Sequence, residues 1–349
     1  MNTNILNNVS HRIMNLIGHY GTVRNELGSI IQRGCVRILD AKMIVEGGFS
    51  LTVDERQLSD PIKYPVVRLH QTSLIEEILG QIRKDGFGQH IIQLTGIFGS
   101  VMLLLTGTEK QQKDAQNWTE GGYIGCFLMT DAGGANLHEW RSEVIVDGDK
   151  RKLIIDKIHS MAADRSGFAL VVVRKGTSFV PVTFLIDPMT CKRLEASPIG
   201  DAWLDGNLQL GNVRGEVFLN GEDQLKLGGL NGVNQFLTFC RPRLIRAIIA
   251  HLYWLADNQR VFFSELHLNA LRNVEDLALA YTNRDYFTRD TVSEVLALKF
   301  VCNEFLLDIV CSESVQNIHD QRDILGFTKM EGSSYRCFNE IYRKHRENK

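Results

Sequence analysis

Apolar and polar residues follow two different periods along this chain, and the period changes twice. Up to about residue 118 the apolar residues recur every three or four positions, which predicts helices. One clear stretch lies between Ser73 and Gly86, with apolar residues at Leu74, Ile75, Ile78, Leu79 and Ile82. A second stretch, 90–107, reads "HIIQLTGIFGSVMLLLTG"; its Gln, Thr, Ser and glycines predict a buried helix and no membrane span.

Between about 120 and 230 the chain consists of short runs rich in Val, Ile and Phe. These runs include "GFALVVVRKG" and "SFVPVTFLID", and each ends in Gly, Asp or Pro at a spacing of roughly ten residues. Asp147-Gly148 indicates a hairpin, because this pair tolerates the positive φ angles of a tight turn. The pattern is typical of an antiparallel sandwich or barrel.

From about 232 onward the period is helical again, with long segments over 241–263 and 290–316 that are strongly apolar on one face. We therefore predict an α+β protein of three parts. These are a helical N-terminal domain over 1–118, a middle antiparallel β-barrel or sandwich domain over 119–231, and a C-terminal helix bundle over 232–349.

Composition narrows the range of partners. The 349 residues are 44% hydrophobic and 23% charged, as in soluble proteins of two or three domains. A net charge of −2 gives no general attraction to nucleic acid or to a membrane. The seven cysteines form no CxxC pair, which argues against disulfides and zinc and favours a cytoplasmic location. The N-terminus lacks a basic segment followed by an apolar one, so we expect no signal peptide.

The strongest candidate for chemistry is a carboxylate near the C-terminus, in "TKMEGSSYR" over 328–336. Glu331 follows the apolar residues Phe327 and Met330 and precedes a Gly-Ser-Ser turn. Burial among apolar neighbours raises a carboxyl pKa towards neutrality, where a general base works best. The small residues after it leave room for a substrate and a cofactor. An acid in a solvated C-terminal turn is the alternative interpretation.

Four segments, in chain order, resemble the acyl-CoA dehydrogenase superfamily. The first, 107–136, begins Gly-Thr-Glu-Lys-Gln and carries Thr-Asp-Ala-Gly-Gly at 130–134, where the family has a Thr-Glu-Pro loop. The second, 154–173, has Lys157 and an Ala-Asp pair before a β run. The third, 254–266, matches the Arg and Phe of an Arg-x-x-Phe-Gly motif. The fourth, 321–341, has Arg-Asp followed by Glu-Gly-Ser-Ser, in the order that the family uses around its catalytic glutamate.

The resemblance implies an FAD cofactor. The residues that it assigns to FAD binding are Met129, Thr130, Ser160, Arg260, Phe263 and Ser333. Met129 and Thr130 would meet the isoalloxazine ring, and Ser160 would keep a hydroxyl contact to it. Arg260 would reach the FAD pyrophosphate of a neighbouring subunit, which implies a homodimer or homotetramer. An arginine suits that role because its planar fork donates two hydrogen bonds to a phosphate.

The resemblance also implies a reaction. Glu331 would remove the α-proton of an acyl thioester while a hydride leaves the β-carbon for flavin N5, and the flavin would carry the difficult step. The substrate would be an acyl-CoA or an acyl-carrier protein, because divergent members of the superfamily act on carrier-bound acyl groups in specialised biosynthesis. The acyl chain and the electron-accepting partner are left open by the sequence.

Two departures from the family pattern support an alternative. The segment 158–160 is Ile-His-Ser and lacks the aromatic residue that covers the flavin, and 314–323 lacks the usual Gly-Gly turn. A relative that has lost tight FAD binding and serves as an interaction subunit is therefore the second hypothesis. A third, oxygenation by reduced flavin, is disfavoured by Glu331, which that branch usually lacks. His159 fits a structural role better than a catalytic one.

Overall fold

The computed structural model of this protein describes residues 3–19, 21–40, 69–134, 137–176, 180–283 and 289–347. The chain begins with five helices, namely α1 (Thr3–Gly18), α2 (Asn25–Asp40), α3 (Leu69–Asp85), α4 (His90–Thr106) and α5 (Glu109–Glu120). Both predicted helices are present, since the 73–86 pattern lies in α3 and the 90–107 run forms α4, most of whose residues are buried. No described helix is both long and apolar enough to cross a bilayer.

The Gly-Thr-Glu-Lys-Gln segment forms the start of helix α5. Thr108 is the N-cap of α5, and its hydroxyl accepts a hydrogen bond from the backbone N–H of Gln111 at 3.3 Å. The Gln111 side chain in turn accepts from the backbone N–H of Thr108 at 3.0 Å. This reciprocal capping box satisfies two donors that a helix start leaves free.

The middle part of the chain forms one sheet of seven strands. They are β1 (Ile124–Leu128), β2 (Glu143–Asp147), β3 (Lys150–Met161), β4 (Ser166–Lys175), β5 (Val180–Ile186), β6 (Glu195–Pro198) and β7 (Leu210–Asn220). The spatial order is β1-β4-β2-β3-β7-β6, with β5 paired to β4. The predicted hairpin is present, because Asp147 pairs with Lys150 across the turn at Gly148, whose φ is 55°.

The sheet is mixed, whereas the sequence predicted antiparallel pairing throughout. β4 pairs in parallel with β1 and with β2, and the remaining pairs are antiparallel. Turn residues specify where a chain reverses, but they do not specify which distant strands meet. The α+β class itself is confirmed. A short helix, α6 (Pro188–Cys191), follows β5.

The chain ends in a second helical part, with α7 (Leu230–Asp257), α8 (Glu265–Thr282), α9 (Arg289–Cys311), α10 (Ile318–Phe327) and α11 (Ser334–Glu347). The first helices pack on these, α1 and α2 against α9 and α3 against α7, so one large apolar core runs through both helical parts. A smaller core lies within the sheet. This arrangement brings the ends of β1 and β3 to face α7 and the turn between α10 and α11.

Candidate active site

A cavity of about 650 Å³ lies between the sheet and the C-terminal helices. Its walls include residues after β1, the end of β3, one face of α7, and the turn between α10 and α11. The α7 residues that line it are Leu230, Val233, Leu237 and Arg241, which recur at helical spacing, so the apolar face of α7 ends in one charged residue. The volume falls within the range of roughly 300–1,000 Å³ typical of small-molecule sites.

Five of the seven residues assigned to the site from the sequence meet at this cavity. They are Met129, Thr130, Ser160, Glu331 and Ser333. His159 also lines the cavity. These residues come from three distant parts of the chain, so their convergence is a property of the fold and not of any one motif.

The two other residues lie elsewhere. Arg260 forms an ion pair with Asp320, in which Nε donates to Asp320 Oδ2 at 2.9 Å. It also forms an ion pair with Asp205 at 3.4 Å. Phe263 packs against the core, with its ring 6.5 Å from that of His267. Neither residue lines the cavity, and the contact of Arg260 with a neighbouring subunit's cofactor stays a prediction.

Glu331 occupies a backbone conformation that is unusual for a residue with a side chain. Its φ is 54°, in the left-handed region, and the φ of Gly332 is 122°. The left-handed region costs a non-glycine residue roughly 1–2 kcal/mol. Two side-chain donors hold the turn: Arg241 Nε donates to the Glu331 carbonyl at 2.7 Å, and Asn303 Nδ2 donates to the Gly332 carbonyl at 3.0 Å. Such strain persists only where the surrounding structure holds it, as these two donors do here.

Burial governs the charge of Glu331. The residue lines the cavity and is half-buried there. Burial raises the pKa of this carboxyl, and the positive charges of Arg241, Lys299 and Arg336 oppose that rise without cancelling it. The direction agrees with the expectation from the apolar residues before Glu331. Arg336 belongs to the motif around Glu331, whereas the sequence analysis missed Arg241 and Lys299.

Lys299 is the most deeply buried of these cations. Its side chain is fully buried in α9, where Nζ donates to Asn303 Oδ1 at 2.6 Å and to the Phe327 carbonyl at 3.0 Å. Burial lowers the pKa of Lys299. Lys299 thereby fixes the end of α10, and Asn303, which it orients, fixes the turn after Glu331. A lysine in the apolar run "VLALKFV" was the sequence signal for such a role.

A buried ion pair shapes the loop that carries Thr130. Lys157 Nζ lies 3.1 Å from Asp131 Oδ2, and both side chains are 0% exposed. Nζ also donates to the Met129 carbonyl at 3.2 Å and lies 4.3 Å from the centroid of the Trp140 ring. Burial lowers the pKa of Lys157 to about 8, against the opposing attraction of Asp131. Both groups are therefore charged at neutral pH.

Asp131 completes the loop with its remaining hydrogen bonds. Its carboxylate accepts from the backbone N–H groups of Gly133 at 2.9 Å, Arg141 at 2.7 Å and Ser142 at 3.1 Å. Burial alone would raise the pKa of Asp131, but Lys157 and these donors hold it below its usual value. Gly133 has to be glycine, because a Cβ there would lie 1.7 Å from the Glu139 carbonyl oxygen.

Ser160 reaches the cavity through a bulge in β3. The pairing of β3 with β7 shifts its register between Lys157 and Ser160, and His159 has a φ of 53°. Bulges of this kind redirect a side chain beside a site. Ser160 itself is 5% exposed, while His159 is exposed, and the structural role expected of this histidine stays a prediction. Thr130 lies beside the same segment, since its carbonyl accepts from the Ile158 N–H at 3.0 Å.

Known structures share this architecture. A glutaryl-CoA dehydrogenase from Mycobacterium smegmatis in complex with FADH2 aligns with a TM-score of 0.61 and 16% identity, over 80% of each chain. The chain has the acyl-CoA dehydrogenase fold. A prolyl acyl carrier protein oxidase, AnaB, aligns with a TM-score of 0.61 and 17% identity, over 80% of this chain and 82% of its own.

Other activities occur on the same fold. A nitroalkane oxidase aligns with a TM-score of 0.62 and 10% identity, over 97% of this chain and 94% of its own. No protein-family model and no curated protein matches the sequence. At these sequence identities the comparisons show the acyl-CoA dehydrogenase fold alone. The reaction has to be inferred from the residues of the site.

Proposed function

We propose that this protein is an FAD-dependent dehydrogenase that oxidises the α,β bond of an acyl thioester, with Glu331 as the base. The observation that supports this most is the placement of Glu331. It is a carboxyl with a raised pKa at the wall of the cavity, held in a strained turn by Arg241 and Asn303. A glutaryl-CoA dehydrogenase and a prolyl acyl carrier protein oxidase share the fold, so CoA and carrier-protein thioesters are both candidate substrates.

The residues present fit a flavin ring. Thr130, Ser160 and Ser333 bring hydroxyl groups to a cavity whose other lining is mostly apolar. The indole N–H of Trp140, in the same wall, is buried and has no acceptor among the described residues. Met129, Thr130 and Ser160 would hold the ring, with Ser333 supporting it. When bound, FAD supplies the acceptor for the hydride that leaves the β-carbon.

The protein's own contribution is to position the substrate and to take a proton. Glu331 would accept the proton at the α-carbon, which turns a buried carboxylate into the neutral acid that burial favours. Arg241, Lys299 and Arg336 limit the rise in its pKa, so that the carboxylate form is available before the reaction. Gly332 and Ser333 are small enough to let the thioester approach the carboxylate.

The alternative is a non-catalytic interaction subunit with this fold. Two observations favour it: 158–160 has no Phe, Tyr or Trp, and Arg260 is engaged with Asp320 and Asp205. The two hypotheses differ in flavin content. A yellow purified protein with flavin absorption bands, or uptake of FAD on titration, supports the enzyme. A colourless protein that takes up no FAD supports the subunit.

The role of Glu331 is tested by anaerobic flavin reduction with acyl-CoA and acyl-carrier protein substrates. Glu331→Gln is expected to slow reduction by roughly 10²–10⁴-fold, the usual contribution of a positioned base. Glu313→Gln is a matched control, because Glu313 has a similar φ of 59° but is exposed outside the cavity. A Glu331→Gln protein that reduces its flavin as fast as the parent would show that another group is the base.

A further inference from the structure

A tight hairpin between β6 and β7 presents a tryptophan to the cavity. Trp203 and Leu208 pair through two backbone hydrogen bonds of 2.8 and 3.0 Å. Between them Leu204, Asp205 and Gly206 have φ values of 53°, 55° and 88°. Three successive residues in the left-handed region form a sharp turn, which fixes the direction of the residues on either side.

This hairpin continues the ladder that contains Ser160. β7 begins at Leu210, which pairs with Met161, and the next residue, Gly211, pairs with Ser160. Leu208 and Leu210 both line the cavity, as Ser160 does. The backbone therefore places Trp203 at the same end of the sheet as the segment assigned to the flavin ring.

Charged residues of the helix bundle hold the hairpin from the other side. Asp323 Oδ2 accepts from the Leu204 N–H at 2.9 Å, and Arg322 Nη2 donates to the Ala202 carbonyl at 3.0 Å. Arg322 and Asp323 also pair with each other at 2.9 Å. The backbone is thus bound to α10 on both sides of Trp203. Arg260 also reaches Asp205 at the tip of the turn, at 3.4 Å, so three side chains of the C-terminal helical part contact the hairpin.

The indole lies on the backbone of α10 at Gly326. A Cβ at Gly326 would lie 1.6 Å from Cζ3 of Trp203, so only glycine permits this contact. Both residues line the cavity. The contact fixes the ring between the helix and the open space, as a rigid and partly buried surface.

Trp203 differs from the other aromatic residues that line the cavity. Phe127 packs against Phe236, with the ring centroids 4.5 Å apart, and Trp140 carries the Lys157 ammonium over its ring. The indole of Trp203 has no aromatic or cationic partner and no hydrogen-bond acceptor among the described residues. A rigid aromatic face without a partner, at the wall of a cavity, is suited to a planar ring of a ligand.

We propose that Trp203 is the aromatic residue against which the isoalloxazine ring of FAD packs. This inference rests on the proposed function, because it takes FAD as the ligand of the cavity. It supplies the aromatic contact that 158–160 lacks, and it assigns Arg322 and Asp323 as positioning residues that act through the hairpin. Stacking on a preformed surface adds affinity without the cost of ordering a side chain.

The test is a titration of apoprotein with FAD, followed by flavin absorption and fluorescence. Trp203→Leu is expected to raise the Kd about tenfold and to change the visible spectrum of the bound flavin. Trp203→Phe, which keeps a ring, is expected to recover most of the affinity. Phe218→Leu is the control, because it removes an exposed ring from β7 outside the cavity. Thermal unfolding of each apoprotein checks that the variants are folded.

The outcomes separate the two proposals. A parent protein that takes up no FAD would overturn the proposed function and this inference together. A parent that binds FAD, with a Trp203→Leu variant that binds it equally tightly and with the same spectrum, would overturn this inference alone. A Trp203→Phe variant as weak as Trp203→Leu would also overturn it, because stacking requires only an aromatic ring.

Discussion

Replacing Asp131 with Asn tests the ion pair that shapes the loop of Thr130. Asn keeps the size of the side chain and removes the charge that Lys157 Nζ faces at 3.1 Å. Both side chains are 0% exposed, so water cannot replace the carboxylate. Burial already lowers the pKa of Lys157 to about 8, and loss of its partner removes the attraction that opposes a further fall. The lysine must then lose its proton or remain as an uncompensated buried charge.

The size of the effect follows from burial. Removing one partner of a buried ion pair costs roughly 3–5 kcal/mol. Since 1 kcal/mol shifts the melting temperature of a 349-residue chain by roughly 1.4 °C, Asp131→Asn is expected to lower it by about 4–7 °C. Glu222→Gln provides a matched control, because Lys110 and Glu222 are also 3.1 Å apart but are 67% and 62% exposed. That variant is expected to leave the melting temperature nearly unchanged, as exposed pairs contribute little.

Thermal unfolding followed by circular dichroism measures both effects at neutral pH. Lys157→Met and the double variant Asp131→Asn/Lys157→Met complete the cycle. The double variant is expected to lose less stability than the two single changes together, because it leaves no unpaired charge. A melting temperature of Asp131→Asn equal to that of Glu222→Gln would contradict a buried ion pair. Single effects on stability that simply add in the double variant would contradict it as well.

Two further predictions concern the turn of Glu331 and the contact of Trp203. Burial holds the pKa of Glu331 above its value in the unfolded chain. Between these two pKa values the folded protein binds more protons than the unfolded chain, so its free energy of unfolding falls as the pH rises. At neutral pH Glu331→Gln is therefore expected to raise the melting temperature. Glu313→Gln is the control, because Glu313 is exposed and has a similar φ, and it is expected to leave the melting temperature unchanged. A lower melting temperature for Glu331→Gln would contradict the effect of burial. Gly326→Ala is expected to displace the indole of Trp203 and to weaken FAD binding as Trp203→Leu does, measured by the same titration, and unchanged affinity would show that the ring is not fixed by α10.

Much of the fold could be predicted because local patterns specify it. Helical spacing located α3 and α4, and Asp147-Gly148 located the hairpin between β2 and β3. The parallel pairing of β4 with β1 and β2 could not be predicted, since nothing local to a strand identifies a partner that lies far along the chain. Whether the parts separate at 118 and 231 stays a prediction.

The candidate site divides in the same way. Met129, Thr130, Ser160, Glu331 and Ser333 lie in short motifs that can be recognised one at a time. The residues that control Glu331 lie far from it in the sequence, so their role depends on the fold. They act through the bonds of Arg241 and Asn303 to its turn and through the charge of Lys299. Charged residues in otherwise apolar helical runs were the available sign, because a buried charge requires a partner.

Arg322 and Asp323 were recognised in the sequence as part of the motif before Glu331, but their contacts in the structure were not predicted. They identified the segment before Glu331, and in the structure they hold the hairpin of Trp203. The helix that carries them, α10, ends at Phe327, whose carbonyl accepts from Lys299. One ten-residue helix thus connects the indole on one wall of the cavity to the turn of Glu331 on another. A site needs its groups held on rigid elements at fixed separations, and α10 meets that need for both residues at once. Loosening the Arg322–Asp323 anchor would therefore disturb the base as well as the ring contact.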